Sequence, residues 1–213
     1  MNQMRKSLLL IAVLALVAVS VSAQTAAIDR VSGKVEYRMT SAGGWETASV
    51  GDRLPLNATI STGFGASAVL NLGSSVLEIG QLTRLSIEEL ADNGLSAEVF
   101  VPVGRVRASV NPETGRRADF TVRTPLSTAS VRGTEFETNG WQVSVSEGVV
   151  AFADMLSQLQ NVGVDQASTV SGNGPTDPAN EANNKADLGD GGGPGDFVGG
   201  PATSGYITVR WGF

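Results

Sequence analysis

Residues 120–150 read FTVRTPLSTASVRGTEFETNGWQVSVSEGVV, and their alternation decides the fold class. Phe120-Thr121-Val122-Arg123-Thr124 and Gln142-Val143-Ser144-Val145-Ser146 alternate apolar and polar side chains, as a strand with one buried face does. Between them Gly133 interrupts the run Ala129–Phe136, which marks a bulge or a close backbone approach that a side chain would block. Arg132 offers a rigid donor fork to carbonyls or a carboxylate near that kink, and Thr134 a hydroxyl for a freed backbone group. Gly133, Thr134, Phe136 and the turn at Gly148 are therefore read first as folding devices.

The alternation extends outward from there. Val31–Tyr37, Ala68–Leu72 and Ser75–Ile79 repeat it, and Gly-x-Val steps open strands at Gly33, Gly104 and Gly148. About ten such strands at close spacing predict an all-β body over residues 27–170: a compact β-roll, a sandwich or a short β-solenoid. One segment has a different period. In Ala153–Gln160, Met155, Leu156 and Leu159 share one face of a short helix candidate.

Composition sets the boundaries. Residues 1–23 carry Arg5 and Lys6, an apolar run from Leu8 to Val19, and small residues at Val21-Ser22-Ala23. That run is short of the ~20 residues that span a bilayer, so a cleaved export signal is expected, with Gln24 first in the mature chain. The expected location is the periplasm, the cell surface or the medium. Residues 171–204 are rich in Gly, Asn, Asp and Pro with Lys185 the sole basic residue, and read as a disordered acidic linker. Residues 205–213 close with Tyr206-Ile207-Thr208-Val209-Arg210-Trp211-Gly212-Phe213, a C-terminal strand expected to fold back on the body or to dock on an envelope protein.

Chemistry is bounded by what is missing. The 213 residues contain no His and no Cys, which removes disulfides, thiolate nucleophiles, zinc fingers and histidine-based acid–base devices. No enzymatic activity, cofactor or metal is expected. Asp187, Asp190 and Asp196 around a Gly-rich run form a single imperfect copy of a calcium repeat, which needs several stacked copies. The net charge of −6, with a pI near 4.7, argues against nucleic acid. Loss of Arg5 and Lys6 with the leader takes the charge to −8.

Against that acidity stands one basic stretch. Arg105, Arg107, Arg116, Arg117, Arg123 and Arg132 face only Glu113 and Asp119 over the same span. Arg105 and Arg107 share a strand face, and pairing of Gly104–Val110 with Phe120–Thr124 would bring Arg123 near them. Arg105, Arg107, Arg123 and Arg132 are the candidate contacts for an anionic partner, because guanidinium grasps carboxylate or phosphate with two donors. The alternative is a solvated face of scattered ion pairs.

An ordered string of motifs carries a family resemblance. Val50-Gly51-Asp52-Arg53-Leu54, Ile60-Ser61-Thr62-Gly63, Ala66–Leu70, Val131-Arg132-Gly133-Thr134-Glu135-Phe136 and Val145-Ser146-Glu147-Gly148-Val149-Val150 together resemble the FecR domain family. The resemblance implies an extracytoplasmic sensory or protein-binding module involved in signalling. Family members that act as transducers also carry a cytoplasmic sigma-binding segment and a transmembrane helix, which this sequence is expected to lack. The expected function is non-catalytic binding of a protein or envelope polymer. The alternative is a structural or outer-membrane-associated component that uses the domain as a spacer.

Overall fold

The computed structural model describes residues 25–91, 94–111, 118–171 and 174–178. The expected export signal, most of the linker, the calcium-repeat candidate and the terminal strand lie outside the described residues, as do Glu113, Arg116 and Arg117.

Every element among the described residues is a strand, and the eighteen strands form two sheets of nine. The first sheet runs β4 (Arg53–Pro55), β1 (Thr25–Ser32), β6 (Ser67–Asn71), β7 (Ser75–Ile79), β10 (Val106–Val110) and β13 (Glu135–Thr138). It ends with β14 (Gln142–Glu147), β17 (Ala167–Ser171) and β18 (Gly174–Pro175). The second runs β3 (Glu46–Thr47), β2 (Val35–Arg38), β5 (Thr59–Thr62), β8 (Arg84–Leu90), β9 (Ser96–Val103) and β11 (Asp119–Arg123). It ends with β12 (Ser127–Val131), β15 (Val150–Asp154) and β16 (Leu159–Val162).

Past the first strands, both sheets keep chain order, because the chain lays down a strand or a hairpin in one layer and then crosses to the other. All pairings are antiparallel except β9 with β11, which run parallel after β10 has visited the other layer. Neither sheet closes, and the outermost strands β3, β4, β16 and β18 are two to four residues long. Short edges limit the unpaired backbone offered to another chain.

The alternation in sequence becomes the core. Ile28, Leu70, Leu77, Ala108, Phe136 and Val145 from the first sheet meet Ile60, Leu85, Val99, Phe120, Val122 and Phe152 from the second in one buried cluster. Phe120, Phe136 and Phe152 are at most 1% exposed. Burying such a side chain contributes roughly 1.5–3 kcal/mol, which makes the inter-sheet layer the main source of stability. The polar members of each strand face outward on two broad surfaces.

The antiparallel registers place the turns at two ends. The lower end gathers the crossings at 63–66 and 80–83, the Gly104–Arg105 crossing, and the hairpin turns at 124–126, 139–141 and 155–158. Backbone bonds knit it: Leu82 N donates to Gly63 O at 3.1 Å and Gly80 N to Arg105 O at 2.9 Å. The upper end gathers the turns at Gly73 and Gly94 and the crossings at Gly133, Gly148 and 163–166. There Ser74 N donates to Gly94 O at 3.0 Å and Val110 N to Thr134 O at 3.0 Å.

Two expectations change. Residues 153–160 are no helix: β15 runs into a turn and returns as β16. The Asp154 carboxylate accepts from Leu156 N at 3.0 Å and Gln158 N at 2.8 Å, which closes the turn, and Met155, Leu156 and Leu159 stay exposed. The strand count also exceeds ten: of the eighteen strands among the described residues, β3, β4 and β18 are too short, at two or three residues, to show an alternation.

Candidate binding surface

β10 does not pair with β11. It lies between β7 and β13 in the first sheet, whereas β11 lies between β9 and β12 in the second. The candidate arginines are therefore distributed over three places. Arg105 and Arg107 stand on the outer face of the first sheet, Arg123 on the outer face of the second, and Arg132 at the upper end.

The first of these places is built by a single rung. Arg30, Val69, Glu78, Arg107, Glu137 and Ser144 are successive cross-strand neighbours on β1, β6, β7, β10, β13 and β14. Opposite charges thus sit directly across the ladder, the favourable arrangement for cross-strand pairs. Glu137 is shared: Arg105 reaches it at 3.2 Å and Arg107 at 3.4 Å. Arg30, Arg105, Arg107, Glu78 and Glu137 line a shallow groove of about 250 Å³. Two guanidiniums on one exposed carboxylate keep donors for a further anion, and such exposed pairs contribute only ~0–1 kcal/mol each.

Arg30 was not legible in the pattern. Ala26 and Ile28 point inward, so strict alternation would bury position 30 as well. A bulge between Ile28 and Arg30 shifts the register and delivers Arg30 to the outer face. The insertion itself leaves no composition signal, because Asp29-Arg30 reads as an ordinary polar pair.

On the opposite outer face, Arg123 donates to Glu98 at 2.9 Å and Glu88 at 3.0 Å. Its guanidinium is held above its ordinary pKa first by the hydrogen bond to Glu98 and then by the Glu88 charge. Two carboxylates on one guanidinium leave this site less receptive to an anion than the Arg105–Arg107 groove. At the upper end Arg132 Nε donates to Asp119 Oδ1 at 2.7 Å, between exposed side chains. Behind it Thr134 is buried and exchanges backbone bonds with Val110, while its hydroxyl donates to Val149 O at 3.2 Å. Phe136 is fully buried beneath. Gly133 (φ 132°) and Gly148 (φ 79°) lie side by side, and a Cβ on Gly148 would come within 2.7 Å of Gly133 O.

These crossings and the strands between them fall inside a recognised segment: residues 58–151 match the FecR protein family. That likeness to the FecR protein covers 94 of the 213 residues. The match begins just before β5 and ends in β15, so β1–β4 and β16–β18 extend the same two sheets beyond it. Among solved structures, two crystal structures of a candidate anti-sigma factor from Parabacteroides distasonis are similar to the chain at 21% identity, each with a TM-score of 0.46. Each covers 53% of this chain and 54% of that one, so the likeness spans about half of either protein. No curated protein matches.

Proposed function

We propose that this FecR-like domain is a non-catalytic recognition module of a regulatory or sensory kind, working outside the cytoplasm. It holds a carboxylate- or phosphate-bearing segment of a protein or envelope polymer in the Arg105–Arg107 groove. The carrying observation is the charge rung, in which three guanidiniums and two carboxylates share one shallow surface and Glu137 serves two arginines at once. A partner carboxylate or phosphate would take the remaining guanidinium donors bidentately and release Glu137 to solvent. Surface charge of this sort governs encounter and specificity more than depth of binding.

The test replaces Arg105 and Arg107 by Gln and compares capture from envelope extract at low and high salt. The module reading expects salt-sensitive capture by the parent chain and its loss in the double variant, with the melting transition unchanged. Equal capture by both proteins would favour the spacer reading, in which these arginines serve only their neighbours on the sheet.

A further inference from the structure

Arg105, Arg107, Arg123 and Arg132 each stand against a carboxylate, whereas two other arginines meet on an aromatic ring. Arg38 ends β2 and points to the outer face of the second sheet, as alternation with buried Val35 and Tyr37 requires. Arg84 opens β8 on the same face, ahead of buried Leu85. β5 lies between those two strands. Trp45 immediately precedes β3, one step beyond the Tyr37–Glu46 pair and so across from Arg38. The Arg38 guanidinium carbon stands over its ring at 5.0 Å from the centroid, and that of Arg84 at 5.6 Å. Both distances fall within the ~6 Å at which a ring face attracts a cation.

The charge gathered there is uncompensated. Among the described residues, neither guanidinium has a carboxylate partner. The acids of the same hairpin are engaged elsewhere: Glu36 pairs with Lys34 at 3.2 Å, and Glu46 accepts from the Tyr37 hydroxyl at 3.4 Å. Arg38 Nη1 donates to Ser41 O at 3.0 Å, but its Nε is buried without an acceptor. A donor withdrawn from water and left unpaired is unfavourable, and two like charges on one ring repel each other. The indole that holds them together stays 41% exposed.

We propose that Arg38, Trp45 and Arg84 bind a phosphate group carried as a monoester. Such a group has about two negative charges and three strong acceptor oxygens. It therefore balances two guanidiniums and offers each a bidentate contact, with Arg38 Nε among the donors it serves. A carboxylate brings one charge and two oxygens, enough for a single fork. The exposed indole gives the carrier of the phosphate an apolar wall, so an ester is expected to bind more tightly than the free ion. The site stands on the opposite sheet from the Arg105–Arg107 groove, and either can hold without the other.

The test titrates full-length chain calorimetrically with glucose 1-phosphate, inorganic phosphate, glucuronate and glucose. Glucose 1-phosphate is expected to bind most tightly, inorganic phosphate and glucuronate more weakly, and glucose not at all. Arg84→Gln, at an exposed side chain, should weaken glucose 1-phosphate about tenfold with an unchanged melting transition, and Arg84→Lys should recover only part of the loss. The Arg105→Gln, Arg107→Gln variant should bind it as the parent does. In a second arm, Trp141→Phe and Trp211→Phe leave Trp45 as the only tryptophan, and its emission should change along the same titration curve. No binding of glucose 1-phosphate, equal binding by Arg84→Gln, or a silent Trp45 would each overturn the proposal. Glucuronate binding as tightly as glucose 1-phosphate would overturn it in favour of a carboxylate, and inorganic phosphate doing so in favour of the free ion. Binding lost in the Arg105, Arg107 variant and kept in Arg84→Gln would overturn it by moving the phosphate to the groove.

Discussion

Gly148 shows how a single residue sets the path between layers. Its φ of 79° is unfavourable to any residue with a Cβ, and the space a Cβ would need is already occupied by Gly133 O and the Thr134 hydroxyl. Both penalties apply to alanine. Gly148→Ala is expected to lower stability by about 2 kcal/mol or more, read as a drop in the urea midpoint with an unchanged slope. The glycines were visible as punctuation in the sequence. That Gly133 and Gly148 press against each other was not, since fourteen intervening residues form a complete hairpin in the first sheet.

Hairpins are the units from which each layer is assembled, and side chains in their turns tie one layer to the other. Thr124, in the turn between β11 and β12, accepts from Ser127 N at 2.9 Å through its hydroxyl and reaches Gly140 O, in the β13–β14 turn of the other sheet, at 3.0 Å. Ser127 Oγ donates to the same carbonyl at 2.7 Å. Thr124→Val keeps the shape and removes these two bonds of the Thr124 hydroxyl, leaving the part-buried Ser127 N without this acceptor while Gly140 O keeps its bond from Ser127 Oγ. An expected loss of ~1–3 kcal/mol should appear in thermal or denaturant unfolding. At this scale the alternating runs identified most strands correctly. The exception, residues 153–160, failed because three apolar residues at helical spacing on a short turn look the same as a helix when their exposure is unknown.

Across the whole molecule, order along the chain maps onto position along the sheets. Each hairpin contacts mainly its neighbours in sequence and the layer opposite, so cooperativity is expected to weaken toward the ends, as in stacked-repeat architectures. Native-state hydrogen exchange should accordingly find β16 and β17 opening at lower denaturant than β7, β8, β9 and β10. The buried phenylalanines are spaced along this series, on β11, β13 and β15, and each couples one step of the body to the facing sheet.

The all-β character, the turn glycines and the lack of histidine and thiol chemistry follow from the residue string alone. Alternation records which side of a strand is buried, and composition records which reactive groups exist. Neither records which strand lies alongside which. Only the folded arrangement separates Arg123 from Arg105 and Arg107 by the full thickness of the body. The same arrangement recruits Arg30 through a bulge and brings Arg38 and Arg84 to the Trp45 ring. Pairing partners are chosen by contacts between segments distant in sequence, where local periodicity has no reach.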